Sequence, residues 1–187
     1  MATSSPPSLP GGLGLVRDLV NTIDLESGED SLASVRELRS WLAERGFQRS
    51  GEAREPDRRR AIALRESLRK LLLANGGEPL DPAAPRELVA AAGRSALRPV
   101  IEPDGTVALV PEGGGVDALA ARLLEAIARA QGDGTWSRLK GCPAVPCGWA
   151  FYDESRNRSR TWCSMEVCGN RAKTRRYRSK AEPTAEA

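Results

Sequence analysis

CPAVPC, residues 142–147, and CSMEVC, residues 163–168, contain all four cysteines of the 187-residue chain. Each is a Cys-x4-Cys pair, and the fifteen residues GWAFYDESRNRSRTW lie between them. Two matched thiol pairs in one short segment are the pattern of a structural zinc site. The soft divalent ion accepts four thiolates tetrahedrally, and each pair supplies two from one knuckle. Two disulfides are one alternative, but they need an oxidising compartment for which the sequence carries no targeting signal. An iron–sulfur cluster, which also takes four cysteines, is another. The chain has no histidine, so any metal site is built from thiolates or carboxylates. Four thiolates close the coordination shell and leave no position for water. Cys142, Cys147, Cys163 and Cys168 are therefore expected to hold one structural, non-catalytic Zn2+.

The same stretch sets the architecture. A segment of about forty residues cannot bury enough apolar surface to fold alone, and a bound metal would fix it. Pro143 and Pro146 stiffen the first knuckle. The intervening WAFYDESRNRSRTW reads as a hairpin, aromatic arms around a polar turn, returning the second pair to the first. Gly169 suits the backbone angles of a knuckle, and Asn170 is a candidate N-cap for a helix from Arg171 to about Ser179.

That helix is loaded with charge. Between Trp136 and Lys180 the chain has eleven cations and three anions, a local +8 within a whole-chain +3. Arg171, Lys173, Arg175, Arg176, Arg178 and Lys180 stand on several faces, and only Ala172 and Tyr177 are free to pack inward. Mutual repulsion disfavours such a helix in isolation. A negatively charged tetrathiolate centre would offset Arg171 and Lys173 but is too far from the later cations. An external polyanion offsets the rest, because each phosphate contact releases condensed counterions. Arg156, Arg158 and Arg160 add a second basic site in SRNRSR, residues 155–160. A merely solvated, solubilising tail is the plain alternative.

The first 130 or so residues read differently. They are rich in Ala, Leu and Arg and poor in aromatics, which points to helices. Leu15, Val16, Leu19, Val20 and Ile23 make one amphipathic stripe; Leu32, Val35, Leu38, Trp41 and Leu42 make a second, with Ser31 or Ser34 as N-cap and Gly46 as stop. Ile62, Arg65, Leu68, Leu71 and Leu72 line a third helix that ends at Gly76–Gly77, APRELVAAAG forms a shorter one, and Val116, Leu119, Leu123, Leu124 and Ile127 line the last. A hairpin near 99–110 turns at Asp104-Gly105. GDGTW, near residues 132–136, reads as a linker between two modules. Residues 1–12 and 181–187 are expected to be a disordered leader and tail. Asp18, Asn21 and Thr22 share one face of the first helix, and Arg65 and Glu66 interrupt an apolar one. Such clusters line a small-ligand pocket or form interhelical hydrogen bonds and a buried ion pair.

KGCPAVPCGWAFYDESRNRSRTWCSMEVCGNRAKTRRYRSK, residues 140–180, resembles the CGNR zinc finger, whose tetrapeptide stands at Cys168-Gly169-Asn170-Arg171. DLVNT (Asp18 to Thr22), LRSWL (Leu38 to Leu42) and ALRESLRKLL (Ala63 to Leu72) resemble the helical ABATE domain that accompanies this finger. The resemblance implies a bacterial, stress-responsive transcription regulator whose finger binds zinc and DNA.

The expected fold is mainly α with a small β-hairpin: a helical N-terminal domain over residues 13–132, then a C-terminal four-cysteine zinc finger over 136–180 with a β-hairpin and a basic helix. The expected function is regulatory binding of double-stranded DNA through that helix, with RNA binding or protein–protein adaptation as alternatives. RNA would use Trp149, Phe151, Tyr152, Trp162 or Tyr177 for stacking. A second copy of the chain and a small-molecule effector are further partners. Neither an enzyme nor a membrane protein is expected: nothing resembles a nucleophile motif, and no apolar run reaches the roughly 18 residues a span needs. The expected location is the cytoplasm.

Overall fold

Amphipathic periodicity becomes helix in the computed structural model, which describes residues 9–47 and 53–181, without the side chains of residues 176 and 179–181. The N-terminal part comprises α1 (Leu13–Val20), α2 (Val35–Glu44), α3 (Glu55–Asn75), α4 (Ala84–Ala92) and α5 (Gly115–Gly132). Leu13, Val16, Leu19 and Val20 of α1 meet Leu38 of α2, Leu64, Leu68 and Leu72 of α3, and Leu119 and Leu123 of α5 in one core. Each fully buried leucine contributes about 2 kcal/mol of transfer free energy, which is the main force holding these helices together.

Local details refine the periodic reading. α1 stops at Val20, so Ile23 lies beyond it and instead forms an isolated antiparallel bridge with Asp30. The stop has a cause: the Thr22 hydroxyl donates to the Leu19 carbonyl at 2.8 Å, taking up a helix-end acceptor. In α3 the buried line is Ala61, Leu64, Arg65, Leu68 and Leu72, while Ile62 and Leu71 sit at its flank. In α2 the N-cap is Ser34, whose Oγ accepts from the Glu37 amide at 3.2 Å, and Leu32 is fully buried ahead of the helix.

The expected hairpin pairs β1 (Leu97–Ile101) with β2 (Val107–Pro111), with Ile101 opposite Val107. Asp104 accepts from the Thr106 amide at 2.9 Å within the turn, and Gly105 takes φ 83° there. β2 lies on α5. Of the expected leader, residues 1–8 lie outside the described residues, whereas Leu9 packs against the core and Pro10–Gly12 form a 3-10 turn into α1. Of the expected tail, residues 182–187 lie outside the described residues.

After a 3-10 turn at Trp136–Arg138 come β3 (Leu139–Gly141), β4 (Ala150–Tyr152), a π-helical turn at Met165–Gly169 and α6 (Asn170–Ala181). β3 and β4 pair antiparallel, Gly141 opposite Ala150. This corrects the aromatic-armed hairpin: Phe151 and Tyr152 pair across the first knuckle with β3, and Thr161 and Trp162 form no strand. Asn170 is a correction too. It lies inside the helical run, donating its side-chain amide to the Glu166 carbonyl at 2.9 Å, and Ser164 caps the preceding turn by accepting from Val167.

Composition changes at GDGTW, yet the packing there is continuous. The Thr135 amide donates to the Ala130 carbonyl, Trp136 packs on the main core, and Leu139 and Ala150 belong to that core. β3 runs so close to α3 that a Cβ on Gly141 would stand 2.9 Å from the Leu73 backbone nitrogen. Among the described residues no helix is long and apolar enough to cross a membrane.

Candidate metal centre and basic helix

The first knuckle leaves β3 at Gly141 and is closed by the Cys142 amide donating to the Trp149 carbonyl at 2.8 Å. The second is the π-helical turn, closed by the Gly169 amide on the Ser164 carbonyl at 3.1 Å. Together they bring all four Sγ atoms within 4.8 Å of one another. Cys147 and Cys163 are 3.5 Å apart, and Cys163 and Cys168 are 3.6 Å apart. A tetrahedron with metal–sulfur bonds of about 2.3 Å has edges of about 3.8 Å, so the set fits zinc. A disulfide needs sulfurs about 2.05 Å apart, and all four cysteines are free. Phe151 is buried in this cluster, with Trp149 and Trp162 against it.

Charge makes the same case. The hydrogen bond from Cys147, ahead of the opposing effect of burial, brings the Cys142 thiol down to about 5. Cys147 is driven up by the Cys142 thiolate it serves, and burial pushes Cys163 up to about 12. Cys142, Cys147 and Cys163 cannot all ionise by themselves; a divalent cation removes the repulsion.

Beside the sulfurs is a polar node. Asp153 is fully buried and Lys140 nearly so, and Lys140 Nζ donates to Asp153 Oδ2 at 2.7 Å and to the carbonyls of Arg158 and Arg160 at 2.6 and 3.1 Å. Asp153 also accepts from the Arg160 amide and from the amide and hydroxyl of Ser155. Burial would raise its carboxyl, but the Lys140 and Ser155 bonds outweigh that and bring it down to about 2. This node shapes the loop 153–160 in place of a hairpin turn.

The structure divides the nine candidate nucleic-acid cations. Arg160 is spent on the carbonyls of Trp162 and Cys163, and its guanidinium lies 5.1 Å from the Phe151 ring centre. Arg158 donates to the Ser137 hydroxyl at 3.3 Å. Arg175 donates to the Val145 carbonyl at 2.8 Å, and Arg171 forms a two-pronged pair with Glu26. Arg156, Lys173 and Arg178 are exposed, and their side chains make no hydrogen bond or ion pair among the described residues. The side chains of Arg176 and Lys180 lie outside the described residues. Of the aromatics proposed for stacking, Phe151 is buried, Trp149, Tyr152 and Trp162 are packed, and Tyr177 is 76 % exposed.

Asp18, Asn21 and Thr22 do line a surface cleft of about 740 Å³, together with Arg17, Trp41 and Trp149. Two of the three already have structural work. Asn21 grips β4 at both polar atoms of Ala150, accepting from its amide at 2.7 Å and donating to its carbonyl at 2.9 Å. Thr22 accepts from Arg65, which also binds Asp30 and Glu66. Asp18 pairs with Arg17.

Sequence reasoning missed Arg69, which is 6 % exposed and joins α3 to both halves. It donates to the Val20 carbonyl at 2.7 Å, to the Gly148 carbonyl at 2.6 Å and to Glu66 at 3.1 Å. Its signal was present: Arg65 and Arg69 stand four apart on the buried side of α3 with Leu68 and Leu72. Lys140 and Asp153 were missed as a pair because nothing local marks an ion pair as buried.

A model of the CGNR zinc finger matches residues 138–181, and one described as "ABATE: Putative stress-induced transcription regulator" matches residues 13–133. A search of the curated proteins returned no match. Sulfur geometry and the finger match agree, and the cluster is a site for one structural zinc.

Proposed function

Because the chain belongs to the ABATE family and ends in a CGNR zinc finger, we propose that it is a cytoplasmic, non-enzymatic transcription regulator that binds double-stranded DNA through α6. Zinc supplies the cross-link that holds the two knuckles together. The chain's own residues do the rest. Arg175 ties the second turn of α6 to the first knuckle through the Val145 carbonyl, and the Lys140–Asp153 node holds the loop that carries Arg156. The observation that carries the reading is that Lys173 and Arg178 project from this anchored helix exposed and without partners among the described residues. Exposed cations whose charge no described residue takes up are available to phosphates, which fix position on the duplex.

Double-stranded DNA is favoured over single-stranded RNA because only Tyr177 of the five aromatics stands well clear of the protein. The test is binding of random duplex and single-stranded pools by the zinc-loaded chain over a range of salt. Lys173→Gln combined with Arg178→Gln should flatten the slope of log K against log salt by about 1.8, two phosphate contacts at about 0.9 each. No duplex binding at low salt refutes the reading; preferential capture of an acidic protein would favour the adaptor. An effector is assigned to the cleft beside Asp18, where it would touch Trp149 of the finger and Trp41 of α2 together.

A further inference from the structure

The acidic stretch DLESGED, residues 24–30, leaves α1 and lies against the finger. It is a preformed loop. Asp24 Oδ1 accepts from the amides of Glu26 and Ser27 at 2.8 and 3.2 Å. The Asp24 amide donates to the Glu29 carbonyl and Gly28, at φ 78°, donates to the Asp24 carbonyl, both at 2.8 Å. Its base is pinned by the Ile23–Asp30 bridge and by Arg65 on Asp30 at 2.7 Å. Leu25 sits on the first knuckle, where a Cβ on Gly148 would be 2.9 Å from its Cδ1.

From this loop Glu26 meets the first turn of α6. Arg171 Nη1 and Nη2 donate to its two carboxylate oxygens at 2.8 and 2.7 Å, the planar fork-to-fork match that guanidinium also makes with phosphate. The pair is open to solvent, with side chains 42 % and 53 % exposed, so a competing anion can reach it. The Arg171 hydrogen bond holds the Glu26 carboxyl below its ordinary value.

We propose that the loop Asp24–Asp30 is a built-in competitor for nucleic acid: Glu26 occupies Arg171 as a phosphate would, and the helical domain thereby limits the affinity of the finger. This rests on the reading of α6 as a nucleic-acid face. Because the loop is already folded, the carboxylate is held at Arg171 with little ordering cost. Because the pair is exposed, it is weak enough to be displaced. Whatever shifts the Ile23–Asp30 bridge shifts Glu26 with it.

The test uses the full zinc-loaded chain and a short fluorescent duplex of random sequence, titrated between about 50 and 200 mM salt. Glu26→Gln should tighten binding about fivefold near 0.1 M salt and steepen the log–log salt slope by about 0.9, one further phosphate contact. Adding Arg171→Gln to that variant should remove both gains. Glu29→Gln, an equal charge change on the same loop, should leave the slope unaltered. If wild type binds and Glu26→Gln binds equally or more weakly with unchanged zinc content, Glu26 is a brace rather than a competitor; the proposal is overturned and DNA binding stands. If neither wild type nor Glu26→Gln binds duplex, DNA binding itself fails and the competitor falls with it.

Discussion

Replacing Arg69 with methionine should loosen the joint between the helical domain and the metal centre. The side chain is 7 % exposed, and methionine fills similar volume without a donor. Two backbone acceptors on buried residues lose their partner, the carbonyls of Val20 at 2.7 Å and Gly148 at 2.6 Å. Each orphaned acceptor costs about 1–3 kcal/mol. Glu66 adds little, since Arg65 still holds it at 2.7 Å. Relief from burying a guanidinium offsets part of the loss. The net cost is about 2–4 kcal/mol, a large share of the roughly 5–15 kcal/mol that holds a typical domain. Urea unfolding of the zinc-loaded protein measures that cost. Zinc transfer to a chromogenic chelator under native conditions gives a second readout, because Gly148 directly follows Cys147 and its release frees the first knuckle. A cost under about 1 kcal/mol with unaltered zinc transfer would refute the assignment of Arg69 as the bolt between the two halves.

Asp153, held at about 2 against an ordinary 3.8, stabilises the fold above about pH 4, and that contribution is lost as pH falls through about 2. The difference is worth about 2 kcal/mol, so the stability gap between wild type and Asp153→Asn should narrow over that interval; a gap independent of pH would count against the buried node. Chelation should release about one zinc per chain and cost the helical signal of the twelve residues of α6, while α1 to α5, whose buried leucines supply most of the shared core, keep theirs. Collapse of the whole helical signal on chelation would contradict that expectation.

The elements that sequence predicted well were those whose reason is local. α5 follows from its spaced apolar residues, the hairpin turn from Asp104-Gly105, and the zinc site from two equal cysteine spacings. The errors arose where a distant partner intervened. Nothing in WAFY says that its strand pairs with Leu139–Gly141 rather than with Thr161 and Trp162. For Asn21 and Thr22, ligand face and interhelical hydrogen bonds both stayed open in the sequence because their partners, Ala150 and Arg65, lie 129 and 43 residues away.

Sequence alone determined that this chain has an amphipathic helical part and a four-thiol metal site followed by a basic helix, since spacing, ligand chemistry and charge are properties of short segments. Tertiary structure decided that the two parts share a core and which cations remain available. Arg171 meets Glu26 across 145 residues and Arg175 meets Val145 across 30, while Lys173 and Arg178 meet no partner among the described residues. A guanidinium looks the same in sequence whether it serves a carbonyl, a carboxylate or a phosphate; only the folded chain fixes which acceptor lies within about 3 Å of it.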